Sequence, residues 1–146
     1  MKITICGSIA FYDEMTNVKE KLESLGHEVK LPPHEVRDGS EKMIPVIDYY
    51  NKRKKANESD VWIWDAKEEA MKNHFDKVVW ADAILVLNQD KNNISGYVGG
   101  NTLLEMGLAM HFNKKIYLLN EIPKISYKEE ILAMKPILIA GDLSKI

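Results

Sequence analysis

The stretch Ala83-Ile84-Leu85-Val86-Leu87-Asn88 decides the fold of this chain. Its first five residues are apolar without interruption, which is typical of a central parallel strand covered on both faces. A polar, glycine-containing loop from Gln89 to Gly100 follows, and then an apolar stretch that predicts a helix from about Thr102 to Phe112. A buried strand that continues through a loop into a helix is part of a βαβ crossover, so a parallel sheet is expected.

The same alternation of strand and helix extends in both directions from this stretch. Towards the N-terminus, two short apolar runs predict strands, and between them apolar residues at helical spacing end at Gly26, a helix C-cap glycine. Towards the C-terminus, two more strands flank a short helix. The four outer strands are expected at Ile3–Cys6, Val29–Leu31, Ile116–Leu119 and Ile137–Ile139, and the short helix at Tyr127–Met134. We therefore predict a single α/β domain over residues 1–146, a flavodoxin-like (Rossmann-like) three-layer sandwich with a five-stranded parallel sheet in the order 2-1-3-4-5.

Residues 34–64 are the hardest part of the chain to interpret. Ser40 is a candidate N-cap for a helix that carries Ile44, Ile47 and Tyr50, although Pro45 limits where that helix begins. Asp65 is the expected N-cap of the next helix, whose apolar stripe includes His74.

Composition limits the classes of partner. The chain has 146 residues, 45% apolar and 29% charged, with a net charge of -2. This balance argues against nucleic acid or an anionic membrane as partner, and we interpret the basic run Lys52-Arg53-Lys54-Lys55 as a solvated helix end rather than as a phosphate-binding patch. The single cysteine, Cys6, is expected to be a buried strand residue, and no apolar stretch approaches the ~20 residues that span a bilayer, so we expect a cytoplasmic protein.

Ligands of such folds bind beyond the carboxyl ends of the strands, where the strand order reverses. The residues expected there are Gly7, Ser8, Asn88 and Asn120 at strand ends, and Gly96, Tyr97, Gly99 and Gly100 in the long loop. Glu105 lies on the helix after that loop, which is apolar nearly all round and is therefore expected to be buried. We predict that the helix N-terminus keeps this carboxylate ionised. Thr102-x-x-Glu105 also matches a capping box, in which the glutamate only caps its own helix.

Other polar residues give weaker signals. His74 is either a core histidine with one hydrogen bond or a catalytic group, and no Cys/His spacing indicates a metal site. Trp62, Trp64 and Tyr97 are of a type that stacks on nucleobases, although large aromatics more often cover a core.

Three motifs resemble the nucleoside 2-deoxyribosyltransferase family and its relatives, the 2'-deoxynucleoside 5'-phosphate N-hydrolases. They are Ile5-Cys6-Gly7-Ser8-Ile9, Ala81-Asp82-Ala83-Ile84-Leu85-Val86, and Gly99-Gly100-Asn101-Thr102-Leu103-Leu104-Glu105-Met106-Gly107-Leu108-Ala109. The last is similar to the family pattern Gly-x-x-x-Glu-x-Gly-x-Ala. The resemblance implies that Glu105 attacks C1' of a 2'-deoxynucleoside, that a general acid protonates the leaving base, and that water or a second base then accepts the sugar. It also implies substrate contacts from Ile9 and Asn101, no metal or organic cofactor, and a homodimer or larger homo-oligomer.

The chain departs from the family at several positions. The family aspartate eight residues before Asp82 is replaced by His74, and only a two-residue shift would bring Asp76 into that role. Either His74 has taken over protonation or positioning, or the activity has changed. The family arginine after the Gly-Ser-Ile turn is Ala10, and the family's phosphate-binding serine aligns near Leu132, so a free nucleoside or a different nucleotide pose is favoured.

Two alternatives stay open. The segment Gly99-Gly100-Asn101-Thr102-x-x-Glu105 is also similar to the Pro-Gly-Gly-x-Gly-Thr-x-x-Glu motif of the phosphoribohydrolases that release cytokinin bases, without the proline and the second-half glycine. The other alternative is a catalytically silent nucleotide sensor, in which Glu105 serves only as a cap.

Overall fold

The computed structural model describes residues 1–146 and alternates strands and helices along the chain. The elements are β1 (Lys2–Gly7), α1 (Tyr12–Ser24), β2 (Glu28–Lys30), β3 (Glu35–Arg37), β4 (Met43–Pro45), α2 (Val46–Lys54), α3 (Val61–Trp80), β5 (Ala83–Leu87), α4 (Gly100–His111), β6 (Lys115–Leu118), α5 (Lys128–Ala133) and β7 (Ile137–Leu138). Short 3-10 turns cover Ile9–Phe11 and Leu143–Lys145.

Five strands form one parallel sheet in the order β2-β1-β5-β6-β7. Numbered within this sheet alone, the order is 2-1-3-4-5, so the predicted flavodoxin-like α/β fold is confirmed. The chain passes from β1 to β2 on one side and then crosses to β5 on the other. The strand order therefore reverses at the carboxyl ends of β1 and β5, where folds of this type bind ligands.

Each face of the sheet carries its own hydrophobic core because β5 is buried on both sides. Ile5 and Leu85 point into the core under α1, and Cys6 and Val86 point into the core under α4. A third, smaller cluster lies beside the sheet and joins α2, the β3–β4 hairpin and the first turns of α3. Its buried members are Val36, Val46, Tyr49, Ile63 and Ala66.

The region of residues 34–64 differs from the sequence-based expectation. Ser40 does not cap a helix, because the Asp38 carboxylate accepts the backbone N–H groups of Ser40 and Lys42 and forms the turn of the antiparallel β3–β4 hairpin. Helix α2 begins only after Pro45. Helix α3 has Asp60 rather than Asp65 in its N-cap position, so the predicted start was one turn too late.

Helix α4 is not buried on all sides. Leu104 and Met110 are 54% and 47% exposed, and Phe112, just beyond the helix, is 46% exposed. The prediction of a wholly buried helix is therefore wrong, since one apolar side of α4 faces outward. No helix of the chain combines the length and the apolar character that a bilayer crossing requires.

Candidate active site

A cavity of about 540 Å³ opens at the carboxyl end of β1, between α2, α3 and the N-terminus of α4. This volume is within the usual range for small-molecule sites. The cavity brings together nine of the residues that the sequence indicated: Gly7, Ser8, Ile9, His74, Tyr97, Gly99, Gly100, Asn101 and Glu105. Trp64 lines it as well, whereas Trp62 packs edge-on against Tyr49 in the small cluster.

Glu105 lies in the second turn of α4 and is only 2% exposed. Its Oε1 accepts a 2.6 Å hydrogen bond from the side-chain amide of Asn101, one helical turn earlier, and its Oε2 has no partner. The capping-box interpretation is wrong, because α4 begins at Gly100 and its N-cap residue, Gly99, receives no side-chain cap. Thr102 is therefore inside the helix, and the Glu105 carboxyl is not used for capping.

Burial raises the pKa of Glu105 to about 8, although the Cys6 thiol, the Lys67 ammonium and the Asn101 amide all act to lower it. The raised pKa contradicts the expectation that the helix N-terminus keeps this group ionised. The helix dipole acts mainly within the first turn, and Glu105 lies beyond it. Near neutral pH the carboxyl is largely protonated.

His74 faces Glu105 from α3, with 3.9 Å between its Nε2 and Glu105 Oε2. Burial, reinforced by the positive charge of Lys77, lowers the pKa of His74 to about 3. The imidazole is consequently neutral at physiological pH, and the two side chains are not an ion pair. A neutral ring still offers one N–H donor and one acceptor to a ligand.

The buried polar side-chain atoms without a partner all belong to this site. They are Nδ1 and Nε2 of His74, Oδ1 of Asn101 and Oε2 of Glu105. An unsatisfied buried polar atom costs about 1–3 kcal/mol, so their concentration in one cavity indicates a place where a ligand supplies the missing partners.

Three buried groups, two that line the cavity and Cys6 behind its wall, are close enough to be considered for a metal. The ligand atoms of Cys6, His74 and Glu105 lie within 4.8 Å of one another. Burial, with the negative influence of Glu105, raises the pKa of the Cys6 thiol, which works against the thiolate form that metals prefer. A neutral imidazole can bind a metal or a hydrogen-bond partner, whereas the thiol and the carboxyl would have to release their protons before they bound a cation.

Four of the sequence-indicated residues lie outside the cavity. Asp76 is exposed on another side of α3, among the charged residues of that surface. Asn88 is fully buried; its amide contacts the Gly96 and Glu121 carbonyls, and its Oδ1 accepts the Asn120 N–H at 2.9 Å. Gly96 has a φ of 64°, and a Cβ there would approach the Glu121 carbonyl oxygen to 2.5 Å. Asn88, Gly96 and Asn120 thus fasten the loops at the strand ends.

Four cationic side chains that the sequence analysis did not assign to the site also line the cavity. They are Arg53, Lys54, Lys67 and Lys91. The basic run at the end of α2 was interpreted as solvated, and Lys54 is indeed exposed, but it lines the cavity together with the half-buried Arg53. The sequence did place this run directly after Tyr49 and Tyr50, two residues of a type that can line a binding site. The position of α2 beside β1, however, depends on the β3–β4 hairpin, which the sequence did not predict.

No protein-family model matches the chain, and no curated protein sequence is significantly similar to it. Several solved structures, including the following two, are similar to this chain. One is a 2-deoxyribosyltransferase from the psychrotolerant bacterium Bacillus psychrosaccharolyticus, at 16% identity over 82% of this chain and 72% of that chain, with a TM-score of 0.49. The other is a CMP N-glycosidase from Clostridium botulinum, at 16% identity over 94% of this chain and 85% of that chain, also with a TM-score of 0.49. Likeness at this level carries no information about the activity of this chain.

Proposed function

We propose that this chain cleaves the N-glycosidic bond of 2'-deoxynucleosides, or of their 5'-monophosphates, with Glu105 as the nucleophile. The sugar passes to water or to a second base. One observation carries the proposal: a buried carboxyl with a free Oε2 faces a cavity of ligand size.

The surroundings of Glu105 support a nucleophile rather than a structural group. Asn101 fixes one carboxyl oxygen, and the other has no hydrogen-bond partner, with His74 Nε2 at 3.9 Å. In a double displacement, the ionised form of Glu105 reacts: the bond from C1' to the base nitrogen breaks as Oε2 bonds to C1', and the base takes a proton from Lys67. Water or a second base then attacks C1', the ester bond breaks, Glu105 is released as a carboxylate, and the acceptor passes a proton back to the Lys67 amine.

The leaving base needs a proton, and Lys67 is the cavity residue whose acidity fits this role. Burial, together with the nearby charge of Arg53, lowers the pKa of Lys67 to about 8, against the opposing influence of Glu105. A general acid works best with a pKa near the operating pH. We assign His74, whose ring is neutral, to orienting the base or sugar by hydrogen bonding.

The test is to incubate the purified chain with the four 2'-deoxynucleosides and their 5'-monophosphates, with and without a second base, and to separate the products by chromatography. We expect released base or an exchanged nucleoside, and a protein mass increased by one deoxyribosyl group when the acceptor is scarce. Glu105→Gln should lower the rate at least about a thousandfold. Glu129→Gln, an exposed change on α5, is the matched control.

Other outcomes would identify the alternatives. Turnover of ribonucleoside 5'-monophosphates alone would favour a phosphoribohydrolase. Nucleotide binding without any turnover would favour a silent sensor. Full turnover in Glu105→Gln would contradict the nucleophile assignment.

A further inference from the structure

The cationic side chains in the cavity form two groups. The charge of Lys67 acts on Glu105. The other three surround the ring of Tyr50, with Arg53 Cζ at 5.3 Å and the Lys54 and Lys91 Nζ atoms each at 5.2 Å from the ring centroid. We call Arg53, Lys54 and Lys91 the Tyr50 cation cluster.

No carboxylate balances the Tyr50 cation cluster. The ion pairs of the chain are Lys19–Glu23, Arg37–Glu41, Glu68–Lys72 and the contact of His74 with Glu105, so none includes a member of the cluster. Glu105 is the only acidic residue that lines the cavity. Bringing like charges together destabilises a fold, and a bound anion would remove that repulsion.

Lys91 is held in place within the cluster. Its Nζ donates to Ser8 Oγ at 2.7 Å and to the Tyr50 hydroxyl at 2.9 Å. Ser8 follows β1 at the carboxyl edge of the sheet, so this bridge connects the cluster to the edge at which ligands bind. Burial acts to raise the pKa of Tyr50, but the lysine partners Lys91 and Lys54 outweigh it and the pKa is lowered, as expected beside concentrated positive charge.

We propose that the Tyr50 cation cluster is a phosphate subsite, so that the substrate of this chain carries a phosphomonoester on its sugar. The inference rests on the function proposed above and selects the nucleotide over the free nucleoside. A phosphate dianion accepts charge-assisted hydrogen bonds from lysine and arginine, and the three cations around the Tyr50 ring supply enough positive charge to neutralise it. The sequence analysis favoured a free nucleoside because Ala10 replaces the family arginine; here α2 supplies the positive charge instead.

The test measures ligand binding separately from turnover. Trp64 lines the cavity, so its fluorescence reports binding of 2-deoxyribose 5-phosphate, 2-deoxyribose, a deoxynucleoside and the matching 5'-monophosphate. We expect the phosphorylated ligand of each pair to bind at least about tenfold more tightly, with an advantage that falls as NaCl rises. Lys54→Met should remove most of this advantage without changing the affinity for the unphosphorylated ligands. Lys55→Met, an exposed neighbour outside the cavity, should change neither.

The possible outcomes separate this proposal from the previous one. Inorganic phosphate that competes with the monophosphate but not with the deoxynucleoside supports the subsite. Inorganic phosphate that binds without competing indicates a separate anion site and overturns it. Equal affinity for phosphorylated and unphosphorylated ligands, or equal loss in Lys54→Met and Lys55→Met, also overturns it. Tight binding of the monophosphate without release of the base supports the phosphate subsite and contradicts the proposed function. Release of the base at equal rates from phosphorylated and unphosphorylated substrates supports the proposed function and contradicts the subsite.

Discussion

The raised pKa of Glu105 affects the stability of the fold as well as the chemistry of the site. The pKa of its carboxyl is about 8 in the folded chain and near 4.5 when exposed. Below pH 4.5 the group is neutral in both states. As the pH rises from 4.5 to 8, the unfolded chain releases this proton while the folded chain retains it, so folding stability decreases over that window and the loss is complete above about pH 8.

We therefore predict that Glu105→Gln reduces the pH dependence of stability. The amide carries no proton to release, so the variant should gain stability relative to the parent chain as the pH increases from 5 to 9. Each unit of pKa difference corresponds to about 1.4 kcal/mol, which places the gain on the order of a few kcal/mol. Urea denaturation at pH 5, 7 and 9 measures it, with Glu129→Gln as control. A difference that stays constant across these pH values would show that Glu105 is not buried as an acid.

We predict a narrow bell-shaped dependence of kcat/KM on pH, centred near 8. The rising side reports ionisation of Glu105 and the falling side loss of the Lys67 proton, although the apparent values belong to the coupled pair. The groups facing Glu105 are Cys6 on β1, Lys67 and His74 on α3, and Asn101 on its own helix.

Two variants separate the roles of the groups on α3. Lys67→Met should lower kcat about a hundredfold and remove the falling side of the profile. His74→Ala should keep the falling side, since its ring is neutral throughout this range. A falling side that survives in Lys67→Met would exclude Lys67 as the acid.

Among the elements, the ends of β5 and β6 are joined by one buried amide. Asn88 contacts the carbonyls of Gly96 and Glu121 and accepts the Asn120 N–H. We predict that Asn88→Ala lowers the free energy of unfolding by about 2–4 kcal/mol, because several buried backbone groups lose their partners together. Thermal or urea unfolding measures the loss, and the exposed Asn73→Ala is the control. If Asn88→Ala lowered the free energy of unfolding by less than Asn73→Ala, the prediction would be contradicted, and water would be satisfying the backbone groups in place of the amide.

The strands of the main sheet could be predicted because their signal is local. An unbroken apolar run such as Ala83–Leu87 reports burial on both faces wherever the run occurs. The β3–β4 hairpin could not be predicted from local sequence, because its strands are three residues long and depend on the Asp38 turn and on packing against α3. The same limit applies to the site. Glu105 could be predicted because it lies in a recognisable motif, whereas Arg53 and Lys91 come close to the same tyrosine only through the packing of α2 against the end of β1.

At the scale of the whole molecule, α4 and α5 carry large apolar side chains that are exposed. Leu104 and Met110 of α4, Phe112 just after it, and Leu132 of α5 are between 46% and 54% exposed. Such side chains are candidates for contact with another copy of the chain. The homo-oligomer expected from the family resemblance stays a prediction, and this side of α4 is the surface that we assign to it.

We predict that the chain is a homodimer or larger in solution and that Leu104→Glu shifts it towards the monomer. A charge buried between copies lacks a partner, so association weakens by several kcal/mol. Sedimentation equilibrium measures the mass. Val79→Glu, at a similarly exposed apolar position on α3, should leave the mass unchanged. A monomeric parent chain would contradict the assignment.

The small cluster beside the sheet packs apart from the two sheet cores. Two of its buried members, Val46 and Tyr49 of α2, also line the cavity. A ligand that contacts both Arg53 and Glu105 would connect this cluster to the core under α4. Local opening of α2 would then require the ligand to dissociate. The backbone amides of α2 should therefore exchange with deuterium more slowly when ligand is bound, by a factor set by the ligand concentration divided by Kd. Occupancy, rather than the sequence of α2 alone, would then govern how firmly this flank of the molecule is closed.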